Sequence, residues 1–350
     1  MLANNLKVII NFTRSMSLPL VSIIMPVKNA MPFLNECLLS IINQTYINWE
    51  LIAVNDNSTD TSFELLNFFA QKDKRIKPLN NKKEGIIEAL KTGYAISKGD
   101  FITRMDADDI MTPDKIEVLA NKLLQNGKGH IAVGAVKYFS ETTLGNGYKK
   151  YEQWLNYLTS NGNNFSELYK EFVIPSPSWM VYRTDFEKCG AFNSDFYPED
   201  YDLCYRFYQN NLKCIPCKKQ IHLWRDYGNR TSRTHKNYAD NKFSAIKVHY
   251  FKLLSLNLNR KLILWGAGRR GKEIAKLLLE LKVEFEWACN NKNKIGHTIY
   301  GKTLLSTKNI WINENPQIII TVANQTEQQN IKATLKLKKL KTMEDYFFFC

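Results

Sequence analysis

The sequence predicts an α/β protein: a mixed sheet, largely parallel, with helices on both faces, followed by a second and smaller α/β domain. Three observations support this fold class. Apolar runs rich in β-branched residues alternate with segments of helical periodicity over most of the chain. Turn-forming residues separate many of these segments. A strand pattern, a glycine-rich turn and a helix pattern then recur over residues 261–282.

The N-terminal elements follow one another closely. Residues 21–27 (VSIIMPV) form a continuous apolar run, which is typical of a strand buried on both faces. Proline is favoured in the first turn of a helix, and Pro32 and Pro113 each open a segment of helical periodicity. The patterns therefore predict strands over residues 21–27, 50–54, 100–105 and 130–136, and helices from Pro32, over 61–72, over 84–97 and from Pro113.

The rest of the chain is less uniform. Residues 137–220 mix strand and loop signals and are rich in aromatic side chains. The pattern predicts an amphipathic helix over 238–256 and further strands over 284–289 and 318–323. We therefore expect a disordered leader over residues 1–17 (or translation from Met16), a first domain over 18–236, a helical linker over 237–259 and a second domain over 260–350.

The 350 residues carry a formal net charge of +14, and the hydrophobic content of 44% is that of a globular protein. A basic surface suits nucleic acid, an anionic membrane or phosphorylated small molecules. Nucleic acid is disfavoured, because the basic residues are dispersed and form no recognised aromatic and basic module. No apolar run approaches the roughly 20 residues of a membrane span. We expect a cytoplasmic protein that can associate peripherally with the inner face of the cell membrane.

The seven cysteines indicate a reducing compartment, because their number is odd and the chain is too large to need disulfides. Cys214 and Cys217 have the spacing of half a zinc site. No second pair of cysteines or histidines is spaced to complete that site, so both are interpreted as core residues.

Three carboxylates fall within four residues directly after the predicted strand at 100–105. In parallel-rich sheets, ligands bind at the carboxyl ends of the strands. Asp106 and Asp108 stand at positions i and i+2, so their oxygens can converge on one hard cation such as Mg²⁺ or Mn²⁺. The alternative is an acidic, solvated start to the helix at Pro113, favourable to its dipole. Asp109 fits that alternative as well as it fits a site.

A second acidic group lies in FYPEDYDLCYRF, within an aromatic setting. A hydroxyl is a poor nucleophile, and a carboxylate within hydrogen-bond reach can remove its proton. Burial among aromatic rings would raise the pKa of such a carboxyl group. Glu199, Asp200 and Asp202 are the candidates, with the first turn of an ordinary helix as the alternative.

Three stretches occur in the order found in a known family. They are VSIIMPVKNAMPFLNECLLSIINQTYINWELIAVNDNSTD, GIIEALKTGYAISKGDFITRMDADDI and PEDYDLCYRF. Over about residues 18–235 the chain resembles the family 2 glycosyltransferases of GT-A fold. The resemblance implies an inverting, metal-dependent transfer of a sugar from a nucleotide-sugar donor, expected to be a UDP-sugar, to a hydroxyl. The acceptor would be a glycan or a lipid-linked sugar in polysaccharide or surface-glycan synthesis.

The resemblance also implies roles for single residues. In the pair formed by Glu199 and Asp200, the general base would be Asp200. Lys28 stands where the family often has an aromatic residue. Asp56 would bind the nucleotide base, and Pro26, Val27 and Asn29 would line the nucleotide pocket. Asp106 would contact the ribose, and Asp106 and Asp108 together would bind the metal.

The segment HLWRDYGNRTSRTH (222–235) is rich in basic and hydroxyl side chains. Arg225, Arg230 and Arg233 are predicted to clamp phosphates, since guanidinium groups bind phosphate oxygens in pairs. In similar transferases a loop at this place closes over the donor diphosphate. A basic surface loop without a ligand is the alternative.

The motif GAGRRG (266–271) matches the dinucleotide-binding fingerprint in its place between a strand and a helix. The acid expected after the next strand is absent, and Asn290 occupies that position. The piece resembles the short Rossmann-like modules appended to some bacterial family 2 transferases. We expect a structural or oligomerising role. The rival hypothesis for the whole chain is a non-catalytic nucleotide-binding, dinucleotide-binding or assembly protein that uses this module.

Overall fold

The computed structural model describes residues 18–141, 143–194, 196–228, 230, 243–312 and 314–350. The predicted leader and Arg233 lie outside the described residues. The helices are α1 (Met31–Ile42), α2 (Ser62–Lys72), α3 (Ile86–Ile96), α4 (Lys115–Asn126), α5 (Asn146–Asn161), α6 (Arg183–Lys188), α7 (Glu199–Gln209), α8 (Ser244–Leu254), α9 (Arg269–Glu280) and α10 (Gln325–Leu337). The strands are β1 (Val21–Val27), β2 (Trp49–Asn55), β3 (Ile76–Asn80), β4 (Phe101–Arg104), β5 (Ile110–Met111), β6 (His130–Val133), β7 (Ala135–Phe139), β8 (Trp179–Tyr182), β9 (Lys213–Ile215), β10 (Gln220–Arg225), β11 (Leu262–Trp265), β12 (Glu286–Cys289), β13 (Thr298–Ile299), β14 (Lys302–Ser306), β15 (Gln317–Ile320) and β16 (Tyr346–Phe348).

The first sheet has seven strands in the order β3-β2-β1-β4-β8-β6-β9. Strands β3, β2, β1 and β4 are parallel, whereas β8 is antiparallel to both of its neighbours. Side chains of β1 alternate between two core clusters. Ile24 belongs to the cluster that includes Leu90 of α3, whereas Ile23 and Met25 belong to the cluster that includes Leu34 of α1. The predicted mixed sheet with helices on both faces is confirmed.

Two features of this sheet were not apparent from the sequence. Strand β3 was missed because Lys77 and Pro78 interrupt its apolar pattern, as an edge strand tolerates. The strand predicted over 130–136 divides at Gly134, and its second half joins a separate sheet of order β5-β10-β7. A Cβ atom on Gly134 would lie 2.0 Å from the Ile221 side chain, so the two segments approach there more closely than any other residue allows.

A six-stranded sheet follows in the order β13-β14-β12-β11-β15-β16. It is parallel except for the β13–β14 pair. Residues next to this sheet pack into the first core: the Tyr169 and Phe349 rings stack at 5.3 Å, and those of Phe251 and Phe347 lie 5.0 Å apart. The two sheets therefore share one hydrophobic cluster. Among the described residues, no helix has the length and apolar character needed to cross a bilayer.

The glycine-rich turn between β11 and α9 gives a first prediction. A Cβ atom on Gly271 would lie 2.1 Å from the carbonyl oxygen of Gly266. We expect Gly271→Ala to lower the free energy of unfolding by about 1–3 kcal/mol, because backbone must move to relieve the contact. Urea denaturation measures the change. Gly268→Ala is the matched control: its surroundings are open and its φ is −80°, so the cost should be below about 1 kcal/mol. Equal losses in both variants would contradict the steric explanation.

Candidate active site

A cavity of about 1400 Å³ opens at the carboxyl ends of β1, β2 and β4. This is the edge at which parallel strands present their following loops to a ligand. The sequence-predicted residues that line the cavity are Pro26, Val27, Asp56, Asp106, Asp108, Asp200 and Arg230. The fold therefore brings together three acidic segments that are far apart in the chain.

Asp56 lies at one end of the cavity and is only 4% exposed. Its Oδ1 accepts hydrogen bonds from Asn81 Nδ2 (2.8 Å) and from the backbone N–H of Gly85 (2.9 Å). Its Oδ2 lies 3.7 Å from the ammonium of Lys28, which also pairs with Glu84 at 3.1 Å. Oδ2 accepts a longer hydrogen bond of 3.1 Å from the same Gly85 N–H, so Oδ1 holds two donors and Oδ2 only this longer one. Both Asp56 and Lys28 line the cavity.

The three residues predicted for the nucleotide pocket differ in position. Pro26 and Val27 end β1 and line the cavity. Asn29 has a φ of 51°, and its side-chain oxygen accepts a hydrogen bond of 2.7 Å from the backbone N–H of Thr59. In the structure Asn29 therefore fixes the loop after β2, and its role in the nucleotide pocket stays a prediction.

Asp106 and Asp108 lie in the turn after β4. Asp106 Oδ1 accepts hydrogen bonds from the guanidinium of Arg104 at 3.0 Å. Asp108 Oδ2 accepts one of 3.0 Å from the hydroxyl of Tyr227. Burial, with the neighbouring charges of Asp109 and Asp106, raises the pKa of Asp108 to about 7. The crowding of acids apparent in the sequence therefore persists in the fold.

Asp109 is fully buried, so it is not part of an acidic, solvated helix start. That position belongs to Asp114, the residue before α4. The Oδ2 atom of Asp109 lies 3.0 Å from Nε2 of His222, and its Oδ1 accepts a hydrogen bond of 2.8 Å from the backbone N–H of Arg225. Lys115 completes this buried row, with its ammonium 3.1 Å from Nδ1 of His222. Burial raises the pKa of Asp109 and lowers that of Lys115, each to about 7.

Arg225 lies under the acidic turn, outside the lining of the cavity. Its Nε donates a hydrogen bond of 2.7 Å to the carbonyl oxygen of Asp108, and its terminal nitrogen pairs with Glu36. Among the described residues of this segment, the arginine that lines the cavity is Arg230. The structure thus places Arg225 as a support for the turn, and its predicted role as a phosphate clamp stays a prediction.

Glu199 and Asp200 begin α7 but face different surroundings. Asp200 lines the cavity, and its Oδ2 accepts a hydrogen bond of 2.5 Å from the hydroxyl of Ser176. Burial raises the pKa of Asp200 above its ordinary value. Glu199 lies behind it, 5% exposed, and accepts a hydrogen bond of 2.9 Å from Arg104. Of the pair, Asp200 is the member in position to meet a ligand.

Arg104 was not identified as a site residue from the sequence, where it falls within the predicted strand over 100–105. Its guanidinium donates one hydrogen bond of 3.0 Å to Asp106 and another of 2.9 Å to Glu199. It is 5% exposed. A lone cation in a buried strand, directly before a run of acids, is the signal that could have identified it.

Comparisons with known proteins identify the family of the chain. Residues 22–190 match the model of the glycosyl transferase family 2. An uncharacterized glycosyltransferase of Haemophilus influenzae is 34% identical over 237 residues, which are 65% of this chain and 72% of that protein. A second one from the same organism is 46% identical over 115 residues, which are 32% of this chain and only 45% of that protein.

A solved structure shares the fold. The mannosyltransferase PcManGT of Pyrobaculum calidifontis, in complex with GDP-Man and Mn²⁺, has a TM-score of 0.50 and 18% sequence identity. The likeness covers 76% of this chain and 71% of that one. The sheet and its cavity are those of the GT-A fold, and the chain belongs to glycosyltransferase family 2.

Proposed function

We propose that the chain is an inverting, metal-dependent glycosyltransferase that moves a sugar from a UDP-sugar to a hydroxyl of a glycan or a lipid-linked sugar. The observation that carries the proposal is one cavity lined by Asp56, by Asp106 with Asp108, and by Asp200. These groups suit a nucleotide base, a diphosphate with its cation, and a hydroxyl nucleophile. The setting would be polysaccharide or surface-glycan synthesis, and the net charge of +14 supports work beside an anionic membrane.

The hydrogen bonds of Asp56 support uracil as the donor's base. Oδ1 holds two donors, whereas Oδ2 holds only the longer hydrogen bond from Gly85 and has room to accept one from a base. Uracil offers a single N–H between two carbonyl oxygens, one of which Lys28 can bind. Guanine offers two adjacent N–H groups, which match a carboxylate with both oxygens open. Cytosine would turn a lone pair toward the carboxylate.

Asp106 and Asp108 fit a divalent cation that is shared with the substrate. Among the described residues, no group of three or more His, Cys, Asp or Glu side chains is placed to hold a metal. Mg²⁺ in nucleotide sites usually takes one or two carboxylates, with phosphate oxygens and water as its other ligands. Burial, together with the neighbouring carboxylates, raises the pKa of Asp108, and a bound cation would offset the repulsion between these acids. When bound, Mg²⁺ or Mn²⁺ would neutralise charge on the departing diphosphate.

Asp200 is the general base of the proposed reaction. Its carboxylate takes the proton of the acceptor hydroxyl as that oxygen attacks the anomeric carbon from the face opposite the diphosphate, which inverts the configuration. Ser176 holds the carboxylate in place, and Arg104 fixes Glu199 behind it. The predicted Rossmann-like module at residues 260–350 is proposed to be structural, which the shared hydrophobic cluster supports.

The donor site gives a second prediction. UDP with Mn²⁺ is expected to stabilise the folded protein by about 2.7 kcal/mol when UDP is present at 100 times its dissociation constant. Asp108→Asn should abolish the Mn²⁺-dependent part of this shift. Thermal melts with UDP, GDP, CMP and NAD, each with and without Mn²⁺, measure both effects. Stabilisation of both proteins by NAD, with none by UDP, would instead favour a dinucleotide-binding protein.

A further inference from the structure

The cavity continues past Asp200 into a part that the proposed donor does not use. Four linked aromatic side chains line this part, called here the aromatic subsite: Tyr151, Phe172, Tyr201 and Phe243. Phe172 and Tyr201 meet edge to face with their centroids 6.0 Å apart, and Tyr201 and Phe243 do so at 5.9 Å. Flat apolar surfaces of this kind suit a ligand with a flat apolar face.

The aromatic subsite lies beside the proposed general base. The backbone N–H of Tyr201 donates a hydrogen bond of 2.8 Å to Oδ1 of Asp200. The hydroxyl of Tyr151 donates one of 2.7 Å to the carbonyl oxygen of Phe172, which ties helix α5 to the segment before β8. Both Tyr151 and Phe172 line the cavity with Asp200. A ligand held against these rings therefore lies within reach of the base.

One further carboxylate sets the charge of the aromatic subsite. Glu171 lines the cavity, and its Oε1 accepts a hydrogen bond of 3.1 Å from the backbone N–H of Phe172. Lys170 pairs with Glu167 at 3.1 Å. The buried ammonium of Lys247 donates a hydrogen bond of 2.7 Å to the carbonyl oxygen of Lys170, and it is close enough to Glu171 for the two charges to interact. Among the described residues, no cation lines the cavity next to Glu171.

We propose that the aromatic subsite binds the ring of a neutral sugar acceptor and that Glu171 excludes acidic sugars. The inference rests on the proposed transferase function and deepens it. The apolar face of a pyranose packs on the aromatic rings, while its hydroxyls donate hydrogen bonds to Glu171 and Asp200. A uronic acid would place its carboxylate beside two others in a partly buried site, where like charges repel strongly.

Three methyl glycosides test this subsite: methyl β-D-glucoside, methyl N-acetyl-β-D-glucosaminide and methyl β-D-glucuronide. Saturation-transfer NMR titrations with UDP and Mg²⁺ present give their dissociation constants. We expect at least one neutral glycoside to bind about tenfold more tightly than the glucuronide. Glu171→Gln should close this gap by strengthening binding of the glucuronide. Phe172→Leu should weaken binding of the neutral glycoside severalfold, whereas Phe172→Tyr should preserve it, because the aromatic ring is kept.

The outcomes distinguish failure of the subsite proposal from failure of the donor-site proposal. Thermal stabilisation by UDP with Mn²⁺ is measured in the same samples without the glycosides. If that stabilisation is retained but no neutral glycoside binds, or if Glu171→Gln leaves the ratio of the dissociation constants unchanged, the subsite proposal is wrong and the donor site stands. If wild-type protein shows no UDP stabilisation, both proposals fall.

Discussion

Asp200→Asn is expected to lower kcat for sugar transfer by about 10²- to 10⁴-fold, the usual contribution of a general base. The amide keeps the size of the side chain and can still accept the hydrogen bond from Ser176, but it cannot take a proton. The proposed donor site uses Asp56, Asp106 and Asp108 and not Asp200, so stabilisation by UDP with Mn²⁺ should be retained. Initial rates with the UDP-sugar and acceptor identified by binding measure the loss.

The pH dependence of kcat provides the control. The proposed reaction requires the ionised form of Asp200, whose pKa is raised by burial. The rate of the wild-type protein should therefore fall as the pH drops through that raised pKa, which lies above the range of an exposed aspartate. In Asp200→Asn this acidic limb should disappear from the residual activity. Unchanged turnover in the variant would show that another group removes the proton.

Arg104→Met should lower the free energy of unfolding by about 3–5 kcal/mol, as when one partner of a buried ion pair is removed. Methionine fills a similar volume, so the loss reports the charge. Without the guanidinium, Glu199 keeps its burial but loses its hydrogen bond of 2.9 Å, and Asp106 loses its own at 3.0 Å. Urea denaturation measures the loss, and transfer activity should fall with it because both acids adjoin the reacting groups.

An exposed ion pair supplies the comparison. Lys341 pairs with Glu344 at 3.2 Å, and the two side chains are 72% and 60% exposed. Lys341→Met should lower the free energy of unfolding by less than about 1 kcal/mol.

Burial raises the pKa of Glu199 to about 7, so lowering the pH through that value neutralises the acid. The cost of Arg104→Met should therefore shrink as the pH falls from about 8 to 5. A small loss that does not depend on pH would rule out the ion-pair explanation.

The elements predicted best were those with an uninterrupted periodic pattern. Strand β1 has the predicted bounds, since its seven residues are nearly all apolar and buried. The helix α5 was missed within the region taken as irregular, because its exposed polar residues obscure a narrow apolar stripe. The break at Gly134 depends on the approach of Ile221, which no local pattern records.

The acids of the candidate site could be predicted because the residues that follow parallel strands lie at the same edge of the sheet. The side chains that support these acids could not be predicted. Arg104 meets Glu199 across 95 positions of sequence, and Ser176 meets Asp200 across 24. The burial of Asp109 likewise depends on His222, which is 113 positions away. Such contacts follow from the packing of strands and helices, and they cannot be predicted from the spacing of residues in the sequence.

The stacking of Tyr169 on Phe349 has a consequence for cooperativity. Because the two sheets share one hydrophobic cluster, neither can open fully without exposing apolar surface that belongs to the other. Melting of the chain is then a single event and not two separate ones.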